Sequence, residues 1–206
     1  MYVPTHFVVD DGQLGQLVAD FPVADLVTVT PEGLLATFLP VLYEPTTGEL
    51  GSLIGHVARG NEQWHSPVLA DALVILHGLN AYVSPSWYPS KAEHGRVVPT
   101  WDYLTAHVYG RFVVHDDAAW VESFVRRLTA THEAGRPRPW SVDDAPATFT
   151  AAQLKGIVGV EVIISRIQVK AKWSQNRPEA DIDGVISGLE ASGQTDAAAA
   201  VRQARP

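Results

Sequence analysis

Alternating and unbroken hydrophobic patterns cover most of the chain before residue 115. Segments 25–30, 34–44 and 52–58 are rich in residues that favour strands and are separated by turn sequences, which predicts three consecutive strands of a meander. Residues 72–78 form a near-continuous apolar run, which is typical of a central strand buried on both faces. Strands that follow one another in this way favour an antiparallel barrel or sandwich.

Helical spacing of hydrophobic residues appears in four other segments. They cover residues 14–21, 116–135, 150–156 and the chain after 178. Asp10 or Asp11 is placed to cap the first helix, and Asp116 or Asp117 to cap the second. Gly193 divides the last segment into two helices.

These elements predict a mainly β protein with peripheral helices, of the α+β class. The length of 206 residues is enough for one large domain, and no internal repeat is visible. We therefore predict a single domain over residues 1–206, in which 178–206 is a helical C-terminal extension.

Composition narrows the class of protein. Hydrophobic residues make up 46% and charged residues 18% of the chain, which is typical of a soluble globular protein. No apolar run approaches the roughly 20 residues of a membrane helix, and the start MYVPTHFVVDDG does not have the pattern of a signal peptide. The absence of cysteine excludes disulfides and thiolate chemistry and agrees with a cytoplasmic protein. The formal charge of −8 disfavours broad contact with nucleic acid or anionic membranes.

The densest candidate chemistry lies in residues 79–110, where a strand over 80–84, a polar aromatic loop and a return strand from about Val97 are predicted. Hydroxyl groups, one lysine and several aromatic rings fall within this stretch. Those in the loop and the return strand are Ser84, Ser86, Trp87, Tyr88, Ser90, Lys91, Thr100, Trp101, Tyr103, His107 and Tyr109. Hydroxyl and ammonium donors suit a phosphate, and flat rings suit a planar aromatic group. The alternative is a hairpin with a well-packed aromatic loop.

Two further clusters are candidates for binding. His56, Arg59 and Asn61 leave the third predicted strand beside a glycine, and such a set can hold an anion or the edge of a heterocycle. The alternative is a surface arginine and a turn asparagine. Residues 149–177 hold five of the 15 lysines and arginines, which form either a phosphate-facing or partner-facing rim or a solvated strand edge. Residues 173–177 combine one ring with several donors.

Several common site motifs are absent. No glycine-rich dinucleotide fingerprint, P-loop or nucleophile elbow occurs in the sequence. His132-Glu133 lacks a second histidine at the spacing of a zinc hydrolase, so no metal site is predicted. The helix pair around Gly193 is alanine-rich with only two arginines, which makes direct DNA binding doubtful.

Six segments together resemble the PaiB-like FMN-binding negative transcriptional regulators, a family within the wider FMN-binding split-barrel group. They are MYVPTHF (1–7), GHVARGNEQW (55–64), AYVSPSWYPSK (81–91), VPTWDYLTAHVYG (98–110), KGIVGVEVIISRI (155–167) and KWSQNR (172–177). Two positions depart from the family pattern, since Leu79 stands where proline is usual and Asp102 where asparagine is usual. The second change places a carboxylate beside the candidate site.

The resemblance implies a split β-barrel that works as a homodimer, with FMN in the interface. It implies that Ser84, Ser86 and Lys91 hold the phosphate, and that Trp87 and Tyr88 line the flavin ring. The remaining implied cofactor-binding residues are His56, Arg59 and Asn61 on the preceding strand end, Thr100 and Trp101 on the return strand, and Gln175 and Arg177 from the other subunit.

Two functions are therefore expected, beside a third interpretation in which the split barrel has lost its cofactor, for which Asp102 is the only hint in the sequence. The first is a flavin-dependent redox or redox-sensing role linked to transcriptional regulation, in which His56 or Arg59 stabilises the anionic reduced flavin. The second is a negative regulator that acts by DNA or protein contact without flavin chemistry. No acid–base pair for a defined substrate is evident, so the catalytic residues of an FMN-dependent oxidoreductase are not identified.

Overall fold

Seven strands and six α-helices make up the regular structure of the computed structural model, which describes residues 1–8, 12 and 14–206. The strands are β1 (Val23–Thr30), β2 (Gly33–Pro40), β3 (Leu42–Glu44), β4 (Ser52–Ala58), β5 (Ala72–Val83), β6 (Thr100–His115) and β7 (Ile157–Lys172). The helices are α1 (Leu14–Asp20), α2 (Ser90–His94), α3 (Ala118–Glu133), α4 (Ala147–Leu154), α5 (Glu179–Ala191) and α6 (Thr195–Gln203). The predicted caps Asp10 and Asp11 lie outside the described residues.

The strands form one sheet in the order β2-β1-β5-β6-β7-β4-β3. Antiparallel hairpins join β1 to β2 and β3 to β4, and β4 also pairs antiparallel with β7. The predicted class, mainly β with peripheral helices, is confirmed. Both hairpins of the predicted three-strand meander are present, but its second strand is split, so that β2 pairs with β1 and β3 pairs with β4.

The long second strand predicted over 34–44 is divided at Pro40 and Val41, and this break explains the strand order. Only Val41 separates β2 from β3, yet these strands stand at opposite ends of the order. Proline cannot donate to the ladder, so the strand ends there. Leu39 of β2 then lies against Gly55 of β4, where an added Cβ would be 2.7 Å from Leu39 Cδ1. The two ends of the sheet thus meet, as in a barrel.

The chain divides into two compact units. Among the described residues, the terminal unit contains 1–8, 77–106 and 168–206, and the central unit contains 12, 14–76 and 107–167. Each of β5, β6 and β7 contributes residues to both units. The terminal unit has its own hydrophobic cluster, in which residues of β5, β7, α5 and α6 are buried together.

Strand β5 is longer and less buried than its sequence predicted. It runs without interruption through Leu79, so the predicted strands 72–78 and 80–84 are one element. Ala72, Val74 and Leu76 are buried, whereas Leu73 and Ile75 between them are only half-buried. The prediction of burial on both faces is therefore wrong. Leu73 and Ile75 pair with residues of β1 and lie on the same face of the sheet as the exposed residues of β1 and β2.

Helix α3 agrees closely with its prediction. The Asp117 carboxylate accepts a hydrogen bond from the Trp120 backbone N–H at 2.7 Å, which satisfies one of the free donors of the first turn. Val121 and Phe124 of the predicted apolar stripe are buried. Gly135 follows the helix with a φ of +80°, a conformation that glycine adopts at little cost. No helix within the described residues is both long and apolar enough to cross a membrane.

Candidate functional site

The end of β5 carries the predicted phosphate-binding residues on a short segment, residues 84–91, called here the aromatic loop. The Ser84 hydroxyl oxygen accepts a hydrogen bond from the Ser86 backbone N–H at 3.2 Å and so caps the 3-10 turn Pro85–Trp87. The Lys91 ammonium donates to the Ser86 hydroxyl at 3.3 Å. An exposed hydroxyl and an ammonium group therefore lie side by side, as an anionic ligand requires.

Trp87 and Tyr88, the predicted ring-lining residues, belong to the hydrophobic cluster of the terminal unit. Tyr88 is only 2% exposed, and the Arg177 guanidinium lies 4.9 Å from its ring centroid. Burial raises the pKa of the Tyr88 hydroxyl, and the charge of Arg177 acts in the opposite direction. The structure thus brings Tyr88 and Arg177 together within one chain, and a contribution of Arg177 to a partner subunit stays a prediction.

An exposed aromatic pair lies on the other face of β5. The rings of Tyr82 and Trp101 are 45% and 52% exposed overall, with their centroids 6.0 Å apart in a T-shaped arrangement. The Trp101 indole N–H donates to the Asn80 side-chain oxygen at 3.1 Å, which orients the ring. Sequence reasoning included Trp101 but missed Tyr82 and Asn80. Strand alternation could have found them, because Ala81 and Val83 were predicted to face the core.

Thr100 and Trp101 are held in place by Lys172, which was not among the predicted cofactor-binding residues. The Lys172 ammonium donates to the Thr100 hydroxyl and to the Trp101 carbonyl, both at 2.7 Å, and to the Asp102 carboxylate at 2.9 Å. The other carboxylate oxygen of Asp102 accepts from the Ser174 hydroxyl at 2.7 Å. Asp102 is fully buried, so this departure from the family pattern is a paired charge and not a free carboxylate at the surface.

The Gln175 side chain is used within its own turn. Its amide nitrogen donates to the Ala171 carbonyl at 2.7 Å, and its oxygen accepts from the Trp173 backbone N–H at 2.6 Å. Both polar ends of the amide therefore shape the chain after β7. The turn contains Ser174 at a φ of +59°, an uncommon conformation for a residue other than glycine.

Arg59 and Asn61 are engaged in structural contacts of the central unit. The Arg59 guanidinium forms a two-pronged ion pair with Asp116, with nitrogen–oxygen distances of 2.6 and 3.1 Å, and also donates to the Lys155 carbonyl at 2.8 Å. Asn61 caps the 3-10 turn Glu62–Trp64, and its amide nitrogen donates to the Thr37 hydroxyl at 2.9 Å. These contacts agree with the alternative of a surface arginine and a turn asparagine.

His56 lies on β4 with its ring centroid 5.7 Å from that of Phe124. Its Nδ1 atom is buried and has no hydrogen-bond partner among the described residues. Burial lowers the pKa of the imidazole, since desolvation penalises the charged form. The structure therefore favours a neutral His56, which does not suit a role in stabilising an anionic flavin.

The lowered pKa of His56 predicts a pH-dependent stability. Because the unfolded chain binds a proton more readily at this position, the free energy of unfolding should fall as the pH drops below the ordinary histidine pKa of about 6.5. We expect His56→Gln to reduce this loss of stability between about pH 6.5 and 5, measured by urea unfolding. His132→Gln is the control, since His132 is exposed on α3. Equal pH profiles for wild type and His56→Gln would contradict the prediction.

A buried polar cluster in the central unit was missed by sequence reasoning. The Glu161 carboxylate accepts from the Ser52 hydroxyl at 2.6 Å and lies 2.7 Å from His115 Nε2. The His115 ring stacks on Trp120, with centroids 4.1 Å apart and planes 6° apart. Glu161 and Trp120 line a cavity of about 230 Å³. No local pattern could reveal this cluster, because its members come from β4, β6, β7 and α3.

Comparison with known proteins identifies the family. A family model described as "Putative FMN-binding domain" matches residues 1–166. The chain belongs to this FMN-binding domain family. It is 32% identical over 192 residues to the protease synthase and sporulation protein PAI 2 of Bacillus subtilis, with 92% of this chain and 89% of that protein covered. It is 33% identical over 220 residues to an uncharacterised protein of Emericella nidulans, with 89% and 87% covered. The resemblance to PaiB-like proteins is thus confirmed.

Solved structures place this family member in the split-barrel fold. A conserved hypothetical protein of Mycobacterium tuberculosis aligns with a TM-score of 0.58 at 10% identity, covering 87% of this chain and 95% of that one. The flavocytochrome Anf3 of Azotobacter vinelandii aligns with a TM-score of 0.56 at 12% identity, covering 79% and 67%. At such identities the likeness concerns the fold alone. The predicted antiparallel split β-barrel with helices is therefore confirmed.

Proposed function

We propose that this protein is a flavin-binding domain that takes FMN at the surface of its terminal unit. The observation that carries the proposal is the Lys91–Ser86 donor pair at the end of β5, just beyond the exposed ring of Tyr82. Membership of the FMN-binding domain family and the name of the structural relative Anf3, a flavocytochrome, support a flavin as the ligand.

The chemistry of the donor set fits the two ends of FMN. The Lys91 ammonium and the hydroxyls of Ser84 and Ser86 would hold the phosphate, since charged donors and hydroxyls are strong partners of phosphate oxygens. Trp101 and Tyr82 offer exposed aromatic surface for the planar ring system. The resemblance implies that Trp87 and Tyr88 line the flavin ring. In this proposal they would instead support the aromatic loop, because both belong to the hydrophobic cluster.

Bound FMN would supply a ring that accepts and donates electrons, while the protein supplies binding and orientation. We extend the proposal to a redox or redox-sensing role linked to gene regulation, as the PaiB resemblance implies. Neither His56, which is favoured neutral, nor Arg59, which is paired with Asp116, supports a cationic partner for the ring in the central unit. Arg177 beside Tyr88 is the better candidate for such a charge in the terminal unit.

The alternative is a negative regulator that acts by DNA or protein contact without flavin. The arginines of the C-terminal segment are engaged in ion pairs, Arg202 with Glu190 at 2.6 Å and Arg205 with Asp183. Together with the formal charge of −8, these pairs weaken the case for phosphate contacts by the helix pair. Regulation through a protein partner is therefore the more credible form of the alternative.

We expect the purified protein to bind FMN, and Lys91→Ala to weaken that binding roughly tenfold, because a charge-assisted bond to the phosphate is lost. Flavin fluorescence during titration with FMN measures the affinity. Lys155→Ala is the matched control, since Lys155 is an exposed lysine outside the proposed site. An affinity unchanged by Lys91→Ala would refute the phosphate assignment, and a protein that takes up no FMN would favour the alternative function.

We also propose that the protein is a homodimer with FMN at the interface, as the resemblance implies, and that the exposed face of β1 and β2 takes part in the contact. Phe38 and Leu34 are 66% and 71% exposed. Val29 is paired directly with Leu34 and shares its face, as does Asp25 with Phe38. An exposed sheet face of this kind, apolar apart from Asp25, is a common partner surface, and a second copy of the chain is the occupant that the family resemblance implies.

The dimer proposal predicts a change of mass in solution. Phe38→Glu should shift the protein from dimer to monomer, because a charge would be buried without a partner at the centre of the contact. Sedimentation or light scattering measures the mass. Phe149→Glu is the control, since Phe149 is similarly exposed but lies on α4. A wild-type protein that is monomeric at micromolar concentration would contradict the proposal.

A further inference from the structure

Helix α5 holds the aromatic loop through a buried carboxylate. Asp181, in the first turn of α5, accepts from the Ser90 backbone N–H at 3.1 Å and from the Ser90 hydroxyl at 2.7 Å, each through a different oxygen. Asp181 is only 2% exposed. Ser90 is the first residue of α2, and Lys91 is the second, so this contact fixes the start of the short helix that carries the lysine.

Two glycines of α5 pack directly against Trp87. A Cβ added at Gly184 would overlap with the Trp87 carbonyl oxygen and would lie 3.1 Å from Pro89 Cδ. A Cβ added at Gly188, one helical turn further, would overlap with the Trp87 indole ring. Only a helix without side chains at these two positions can lie this close to the aromatic loop.

Packing alone does not account for this arrangement. If helix α5 only covered the hydrophobic cluster, an apolar residue at position 181 would be the most stable choice. Burying a carboxylate costs free energy unless both of its oxygens are hydrogen-bonded. Here both oxygens of Asp181 are used on the aromatic loop. Helix α5 also lies beyond residues 1–166, the part of the chain that the family model matches.

We propose that α5 is the positioning element of the ligand site, in which Asp181, Gly184 and Gly188 hold the aromatic loop so that Ser86 and Lys91 are ready for an anionic ligand. A loop fixed in advance loses less conformational entropy on binding, so its affinity is higher. The identity of the ligand as FMN rests on the proposed function. The positioning itself concerns the chain alone and can be tested without any ligand.

The test combines two variants with matched controls on the same helix. Asp181→Asn keeps the shape of the side chain but removes one acceptor, and Gly188→Ala adds the methyl group that meets Trp87. Asp183→Asn and Ser187→Ala are the controls, since both residues are exposed on α5 and the partner of Asp183 is Arg205, not the aromatic loop. Amide hydrogen exchange of residues 84–91 is measured without ligand, and FMN affinity is measured by flavin fluorescence.

In both variants we expect the rate of amide exchange in residues 84–91 to rise at least tenfold and the affinity for FMN to fall about tenfold. Exchange in β1 and β4 should stay unchanged, and both controls should behave like the wild type. If Gly188→Ala unfolds the protein, the near-isosteric Asp181→Asn decides. Unchanged exchange in the loop would overturn the inference, and so would faster exchange with wild-type affinity. If the wild type takes up no FMN, the proposed function fails, and the exchange result alone decides whether α5 positions the loop.

Discussion

Replacing Lys172 with methionine should lower the free energy of unfolding by about 3–5 kcal/mol, since breaking a buried ion pair leaves an uncompensated charge. Asp102 is fully buried and would keep only the Ser174 hydroxyl as a partner. The Thr100 hydroxyl and the Trp101 carbonyl would lose the same donor. Urea unfolding measures the effect.

The matched variants for this pair are Asp102→Asn and the double variant Asp102→Asn/Lys172→Met. The asparagine can still accept from Ser174 and carries no charge, so the double variant should recover part of the stability that Lys172→Met loses. Such non-additivity is expected when two residues interact directly. A double variant as unstable as Lys172→Met alone would show that the cost does not come from the unpaired carboxylate.

Replacing Gly110 with alanine should lower the free energy of unfolding by about 3 kcal/mol, because the backbones of β6 and β7 approach too closely for a side chain. A Cβ at Gly110 would overlap with the Ile163 carbonyl oxygen and lie 3.0 Å from the Ile164 Cα. These neighbours are backbone atoms, so relief requires the strands to separate. Thermal unfolding should show a melting temperature lower by roughly 10 °C.

Gly60→Ala is the control for Gly110→Ala. An added Cβ at Gly60 meets no atom within 4 Å, and its backbone does not have a positive φ. This variant should be about as stable as wild type or slightly more stable, because alanine restricts the unfolded chain. Equal stability of the two alanine variants would mean that the sheet relaxes around Gly110 at little cost.

The local elements were largely predictable from the sequence. The apolar stripe of α3, its cap Asp117 and the glycine after it were read correctly, because each depends on residues within one or two helical turns. The strand order was not predictable, since it follows from the break at Pro40 and the meeting of the two sheet ends.

The candidate site was predictable in part. Ser86 and Lys91 stand five residues apart, and the structure brings their side chains together. Asp181 lies 91 residues from Ser90, and Lys172 lies 70 residues from Asp102, so no local pattern links either pair. Their side chains meet only because β7 and α5 pack beside the start of β6 and the aromatic loop.

The sequence by itself determined the class of fold, the family, and the stretch of chain that carries the donors and rings, because periodicity, caps and motifs are encoded by neighbouring residues. Tertiary structure alone decided which of these groups are free to meet a ligand. It engaged Arg59 with Asp116, buried Tyr88, paired Asp102 with Lys172, and left Ser86 and Lys91 at the surface. The physical reason is that burial and charge pairing depend on which distant segments pack together.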